Sequence, residues 1–297
     1  MQLIENNLEV VEYDDLLLPI SIKVRDLIQY ENKRALCHWH DDIEIIKILS
    51  GTMNFYVNGE VFHLIENDML MINSKQVHYG YEYRNDNCKF ICLMLNSSVW
   101  KINESLYEKY VKLIIEDNKL SAWHFKQKED NKNELDALFE ELLLWNNSKI
   151  KAKEWKVLGL IYDLWYQIYT LISDKEVMGG VFKDDFSKDI NIFKQMVAFI
   201  YQNYKNSISL QEIAQAGNIG KSKCCDLFRK YVNKTPIDFV NVYRLEKSKL
   251  LLKYKNLTIT QVALNCGFNN GSYYAEIFKK YNQCTPSAFR KRLNKEN

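Results

Sequence analysis

The sequence predicts an α+β protein in two parts: an N-terminal β-barrel carrying a helical hairpin, and a C-terminal all-α domain of two helix-turn-helix units joined by a long helix. Three observations predict it. Short apolar runs of strand length fill about 16 to 95 and turn on an Asn58-Gly59 pair. From about 131 the apolar period becomes helical, and the last third repeats one helical pattern at a spacing of 49 or 50 residues.

The strands come first. Met53, Phe55 and Val57 alternate before Asn58-Gly59, and Val61, His63 and Ile65 alternate after it. Asn-Gly favours positive φ at both turn positions, so this stretch predicts a two-residue hairpin. IEIIKIL precedes it, and MLMIN and KFICLML follow, each of strand length. Many short antiparallel strands suggest a small barrel or jelly roll.

Next comes the helical hairpin. Leu135, Leu138, Phe139, Leu142 and Trp145 form one apolar stripe; Leu158, Ile161, Tyr162, Trp165, Ile168, Tyr169 and Ile172 form a second, with polar NNSKIKAK between them. Such stripes pack on their own barrel or form a seam between copies. Two exposed stripes invite burial against a second chain, so a homodimer through 131 to 172 is expected. SDKEVMGGVFKDDFSKD then breaks the period at Gly179 and Gly180, and the linker is placed there.

Composition bounds the rest. A chain of 297 residues suggests about two domains, and 47% hydrophobic residues supply their cores. No apolar run approaches the roughly 18 to 20 residues that would span a bilayer, and the start lacks a basic-then-apolar leader. No membrane association is expected, and the expected compartment is the cytoplasm. The seven Cys are scattered without a CxxC pair, which suits reduced thiols better than zinc. The net charge of +2 hides an asymmetry: residues 189 to 297 carry 18 Lys/Arg against 7 Asp/Glu, so the remainder is acidic. A strongly basic domain on an acidic partner points to a polyanion as its ligand.

That basic third holds the repeat. After an amphipathic helix marked by Phe193, Met196, Val197 and Ile200, Ser209 with Glu212 and Thr258 with Gln261 each match a capping box. Each short helix that follows meets a glycine, Gly217 or Gly267, where a sharp turn is expected. The next helices carry Cys224, Leu227, Phe228 and Tyr231, then Tyr274, Ile277, Phe278 and Tyr281, apolar at i, i+3, i+4 and i+7. Both copies close on Thr-Pro, a cap followed by the position where proline is best tolerated. Two copies are too few for a stacked array, and short helix, turn, longer helix fits DNA readers.

The segments SLQEIAQAGNIGKSKCCDLFRKYVNKTPIDFVNVYRLEKSKLLL and TITQVALNCGFNNGSYYAEIFKKYNQCTPSAFRKRL resemble the DNA-binding domain of the AraC/XylS family of bacterial regulators, over about 190 to 293. Gly220 stands where that family usually has a Ser cap, and Asp226 and Glu276 where it often has Arg. The helices from about Lys221 to Tyr231 and Asn270 to Tyr281 are expected to enter the major grooves of double-stranded DNA. Lys221, Ser222 and Lys223, with Asn269, Asn270, Ser272 and Tyr273, are the candidates for reading bases. Arg229, Lys230, Lys279, Lys280 and Arg290 are expected on phosphates.

The barrel carries its own constellation. HWHDDIEIIKILSG places His38 and His40 two apart, Glu44 four further on and Gly51 at the strand end, and His78 follows MLMIN. Alternate strand residues share a face, so the four can project into one barrel interior. Their spacing resembles the cupin motif, and the barrel of the same regulator family is cupin-like; Asn73 and Lys75 stand where the motif has proline and glycine. In metal-bearing cupins three His and one Glu bind a divalent ion, and an N/O set of this kind suits Fe, Mn, Ni or Zn. The favoured reading of His38, His40, Glu44 and His78 is an effector-binding set that requires no cofactor, with a divalent metal on the same four residues as the alternative. Trp39, Tyr56, Tyr79, Tyr81 and Tyr83 could stack on a sugar, and the family resemblance makes a carbohydrate the expected effector. His63 and His124 read as ordinary surface or satisfied histidines.

Together these observations imply a ligand-responsive regulator of carbohydrate-related genes and not an enzyme: 1–172 an effector-sensing and dimerisation domain of cupin-like fold, 173–188 a linker, 189–297 a double helix-turn-helix domain. An activator would also meet RNA polymerase. Two alternatives differ in class: a metal-dependent cupin enzyme tethered to a DNA-binding module, and a ligand-blind DNA-binding protein with a purely dimerising barrel.

Overall fold

The computed structural model describes residues 2–3, 9–10, 13–14, 17–30, 33–117, 120–127, 132–173, 185–254 and 256–293. Two compact units change over between Asp184 and Asp185. Most of the expected linker, 174–184, lies outside the described residues.

In the first unit two-residue strands β1 (Gln2–Leu3) and β2 (Glu9–Val10) pair with each other. Then come β3 (Ile20–Asp26), β4 (Ile43–Gly51), β5 (Met53–Val57), β6 (Glu60–Leu64), β7 (Met69–Ile72), β8 (His78–Glu82), β9 (Cys88–Leu95) and β10 (Ala122–Phe125). They form an antiparallel five-stranded sheet, β10-β7-β4-β9-β3, and a three-stranded sheet, β6-β5-β8. Strand β4 reads IEIIKIL without polar alternation because both its faces are covered. Ile43 and Ile45 pack with the helices, whereas Ile46 and Ile48 join Phe55, Val57 and Leu70 in the interior. Glu44, of the same parity as Ile46, therefore faces inward.

The hairpin turns on Asn58 and Gly59, with φ of 49° and 104°, the two positive values a type I′ turn needs. Its pairing puts Phe62 opposite Phe55 and Leu64 opposite Met53. The inward residues of β6 are thus Phe62 and Leu64, while Val61, His63 and Ile65 face solvent. A two-residue loop sets that register, and a one-residue offset flips every side chain.

Helices α1 (Glu104–Leu106) and α2 (Lys112–Ile115), bridged by a π turn over Tyr107–Val111, and strand β10 have no counterpart in the sequence reading. They are too short to show a period. The hairpin helices are α3 (Lys132–Asn146) and α4 (Lys153–Ser173). Their stripes are not exposed, contrary to the premise of the dimer seam. Leu135, Phe139 and Leu142, with Ile161, Trp165 and Ile168, are buried in one core with Ile43, Ile45 and Leu93 of the sheet. Each such side chain contributes roughly 1.5–3 kcal/mol by leaving water, so the barrel outcompetes a partner for them. Lys47, on the same face of β4, is buried and reaches Asp136 at 3.1 Å and Glu140 at 3.3 Å on α3.

The second unit is helical: α5 (Asp185–Asn203), α6 (Leu210–Ala216), α7 (Lys221–Val232), α8 (Pro236–Leu252), α9 (Ile259–Asn265), α10 (Gly271–Asn282) and α11 (Pro286–Leu293). Both capping boxes form: Ser209 Oγ accepts from Glu212 N at 3.2 Å, and Thr258 Oγ1 accepts from Gln261 N at 3.1 Å. Helix α8 buries side chains from Pro236 to Leu252 because it serves both halves. Phe239 meets Phe228 of the first, and Leu245 and Leu252 meet Val262, Tyr274 and Phe278 of the second.

The two glycines are not equivalent. Gly267 turns the chain at φ 84°, but Gly217 sits at φ −91°, and the first unit's left-handed residue is Asn218 at φ 51°. Hydrogen bonds confirm the match: Ile219 N to Ala214 O and Phe268 N to Ala263 O, both 3.0 Å. Asn is among the few residues that visit this region readily. Gly217 is small for packing, since a Cβ there would stand 2.9 Å from Met196 Cγ.

Candidate functional site

In the barrel, one donor atom from each of His38, His40, Glu44 and His78 lies within 4.8 Å of the others, and all four residues are buried. Glu44 comes from β4 and His78 opens β8. His38 sits not in a long strand but in an isolated bridge to His78. Each imidazole is fixed from behind. Nδ1 of His38, His40 and His78 lies 2.8, 2.9 and 2.8 Å from the carbonyl oxygens of Leu36, Asp42 and Gln76. A carbonyl only accepts, so Nδ1 carries the proton and Nε2 offers a lone pair.

The pairs of Nε2 with Glu44 Oε2 measure 2.8 Å for His78 and 3.5 Å for His40. Burial and the neighbouring His38 push the His78 imidazole down to about 4, against the pull of Glu44. Burial raises the Glu44 carboxyl, but a protonated His78 or His40 facing it outweighs that and holds it well below the usual carboxylate range. Near neutrality the cluster therefore holds an anionic carboxylate and a neutral His78 imidazole. Glu44 Oε1 accepts from the Cys92 thiol at 3.0 Å. Three imidazoles and a carboxylate match the N/O preference of first-row divalent ions, so the four residues fit such a group chemically.

The two departures from the cupin pattern leave this geometry standing. Lys75 adopts the left-handed φ of 64° that explains a glycine there, and its N–H donates to His40 O at 2.7 Å. Asn73 Nδ2 donates to Ile114 O at 2.8 Å and Leu120 O at 2.9 Å, tying the loop to α2. The sequence offered no signal for either role. Of the other histidines, His124 Nε2 pairs with Asp68 at 2.9 Å, and His63 Nδ1 lies 3.3 Å from Asn54 Oδ1.

Tyr56 and Tyr79 lie elsewhere. In the β5–β8 ladder Tyr56 is opposite Tyr79 and Val57 opposite His78, so the tyrosines and the cluster occupy opposite faces of the sheet. Tyr56 stacks on Tyr79 at 4.8 Å, and Arg34 covers Tyr79 at 4.5 Å.

In the second unit Lys221, Ser222, Lys223 and Arg229 on α7, and Ser272, Tyr273, Lys279 and Lys280 on α10 with Asn269 and Asn270 before it, are all exposed. Their surroundings differ. Lys223 lies 2.9 Å and Lys230 3.4 Å from Asp189. Asn270 caps α10, its Oδ1 accepting from Tyr273 N at 2.7 Å, and the Tyr273 hydroxyl accepts from Asn241 Nδ2 at 3.1 Å. Arg290 is half-buried and its Nε donates to Leu252 O at 3.2 Å, so it also braces α11 on α8. Asp226 and Glu276, 50 residues apart, hold equivalent exposed places on the two helices. Arg244, passed over in the sequence, donates to Tyr204 O at 2.8 Å and Asn206 O at 2.7 Å and locks α8 to the end of α5. The signal available was Arg244 set between the apolar Val242, Tyr243 and Leu245 of α8.

A polar cluster enclosed in a small barrel, followed by two capped helix-turn-helix units with basic outward helices, defines a ligand-responsive, DNA-binding transcription regulator. Comparison with known proteins agrees. A family described as an AraC-like ligand binding domain matches residues 29–150, and one described as a helix-turn-helix domain matches 213–292. The HTH-type transcriptional regulator YdeC of Bacillus subtilis (strain 168) is 31% identical, over 97% of each chain. The HTH-type transcriptional activator RhaR of Mannheimia succiniciproducens is 22% identical over 87% of this chain and 88% of its own. ToxT from Vibrio cholerae O395, a solved structure, is alike over 92% of this chain and 98% of its own, with a TM-score of 0.44 and 13% identity. The chain belongs to the AraC/XylS family of transcriptional regulators. Among the described residues no helix is long and apolar enough to cross a membrane.

Proposed function

We propose that this regulator places α7 and α10 in successive major grooves, about 10 bp apart, and answers to an effector held by His38, His40, Glu44 and His78. One observation carries the DNA half: both helices present their polar, mostly basic faces to solvent in a unit of net charge +11 over 189–297. Lys221, Ser222, Lys223, Asn269, Asn270, Ser272 and Tyr273 stand at the N-terminal ends, where base edges are read, and Arg229, Lys279 and Lys280 lie further along, suited to phosphates. Asp226 and Glu276 suit the N4 donor of cytosine.

The regulator works as a homodimer on this reading, through the outer face of α4. Trp155 and Tyr166 are 78% and 64% exposed there, on a line with Gly159. An activating role, as in RhaR, adds RNA polymerase as a partner. A carbohydrate-related role finds support in the raffinose operon regulatory protein RafR of Pediococcus pentosaceus, 24% identical over 36% of this chain. The regulator reading outranks a tethered enzyme because the relatives are regulators.

The test is anisotropy titration of the full chain on its own promoter region and on random DNA across a salt series. Operator preference of at least 10³ with a steep salt slope is expected. Equal affinity for both DNAs would overturn the proposal.

A further inference from the structure

The occupant of the barrel cluster can be narrowed beyond an unspecified effector. Four donor atoms within 4.8 Å of one another leave space for an ion, not for a sugar ring. First-row divalent ions take imidazole nitrogen and carboxylate oxygen at about 2.0–2.2 Å, which places donors on opposite sides of the ion about 4 Å apart. Small side-chain movements reach that spacing. The tyrosines that could stack on a sugar lie on the other face of the β5–β8 sheet, so no ring platform from Tyr56 or Tyr79 faces the cluster.

The histidines are arranged as ligands are. Metal-bound imidazoles nearly always donate their second N–H to a carbonyl or carboxylate, which fixes tautomer and ring orientation. Here three of three do so, to Leu36, Asp42 and Gln76. With the proton on Nδ1, the 2.8 Å contact sets the His78 Nε2 lone pair against a carboxylate oxygen. A cation between the two turns that repulsion into two bonds.

Glu44 is prepared in the same sense. Cys92 Sγ donates to Oε1 at 3.0 Å, while Oε2 faces His78 and His40. Cys92 and Glu44 both face the interior from neighbouring strands, in the register that pairs Ile46 with Cys92. The thiol thus reserves one carboxylate oxygen and presents the other.

We infer that the barrel binds one divalent transition-metal ion through Nε2 of His38, His40 and His78 and Oε2 of Glu44, that Cys92 positions Glu44 for one-oxygen ligation, and that this ion is the effector. The last clause rests on the sensor reading proposed above; the site itself does not. N₃O donors favour Mn, Fe, Co, Ni, Cu or Zn over the oxygen-seeking Mg and Ca.

The experiment uses the full chain, stripped with chelator, dialysed into metal-free buffer and titrated with Co²⁺. Binding is read by visible absorption and equilibrium dialysis, and folding of each variant by circular dichroism. One equivalent per chain is expected, with His78→Ala and Glu44→Gln each weakening binding at least 100-fold. If His78→Ala does not fold, His38→Gln serves in its place. Cys92→Ala should weaken binding about 10- to 100-fold and shift the absorption band, and Cys92→Ser, which keeps a donor, should restore most of it. A merely structural Cys92 would change thermal stability but leave the band in place.

Co²⁺ and Zn²⁺ binding no tighter to the native chain than to Glu44→Gln would overturn the site. Operator affinity is then measured with and without metal. A change of tenfold or more that Glu44→Gln abolishes supports the ion as effector. Stoichiometric binding that leaves operator affinity unchanged overturns that clause alone. A chain that ignores metal but responds to a small organic molecule through His78 overturns the ion and leaves the sensor reading standing.

Discussion

The two helix-turn-helix units share helices, caps and packing, yet they solve the turn and the start of the second helix differently. The first turns on Asn218 and begins α7 at Gly220, whose lack of a side chain leaves that helix without a side-chain cap. The second has one residue more between its helices, turns on Gly267, and caps α10 with Asn270. Their outward faces differ too: Lys223 and Lys230 of the first share Asp189, whereas Asn270 and Tyr273 of the second are held by the fold itself. The second reader is therefore built rigid, and the first is held by ion pairs that DNA phosphates can replace.

The sharpest way to break this comparison is at the turns. In Gly267→Ala the new Cβ would stand 2.1 Å from Tyr204 O, the carbonyl that Arg244 braces, at a φ of 84°. A loss on the order of 2–4 kcal/mol is expected from strain plus clash. At Gly217 the same change meets side chains and no backbone, Met196 Cγ at 2.9 Å and Ile192 Cγ2 at 3.0 Å, and at an ordinary φ, so a smaller loss is expected, and Asn218→Gly should be near neutral. Thermal denaturation of the three variants checks this, and equal losses at 217 and 267 would erase the distinction.

Next in size are the DNA contacts. Lys223→Ala and Asp226→Ala should relax preference at single base pairs by on the order of 1–3 kcal/mol, while Arg229→Ala and Lys280→Ala should weaken all sequences alike and lower the salt slope by about one. Because Asn270 is also a cap, Asn270→Ser is the informative change: it keeps the cap and removes the amide. Selection of preferred sites from random DNA separates the two groups, and uniform losses everywhere would mean the wrong faces were chosen.

Smaller effects belong to the caps. Ser209→Ala and Thr258→Ala should each cost about 1 kcal/mol, and by similar amounts, since the two boxes are alike. Chemical denaturation reads the difference. Smallest of all is Gly220→Ser, which gives α7 the cap it lacks; a gain of a few tenths of a kcal/mol is expected. A loss instead would show that the Gly220 backbone needs its freedom.

Both capping boxes, the Thr-Pro helix starts, the Asn58-Gly59 turn and the helical stripes were legible in the sequence, because each rests on local backbone chemistry or on a period that a few consecutive residues display. So were the four cluster residues, through their spacing and its resemblance to the cupin motif, although His38 and His40 lie outside the named strands. Other features required the folded chain. The outward side of β6, the burial of both hairpin stripes, the equivalence of Asn218 rather than Gly217 with Gly267, and the brace made by Arg290 depend on partners distant in sequence. The same holds for Cys92 on Glu44, 48 residues away, and for the separation of the tyrosines from the histidines across one sheet. Local signals set which elements form because propensity, capping and turn preference act within a few residues. Which face each element buries, and what stands behind each functional side chain, was decided by packing, where cores compete for the same apolar surface and only assembled neighbours determine the winner.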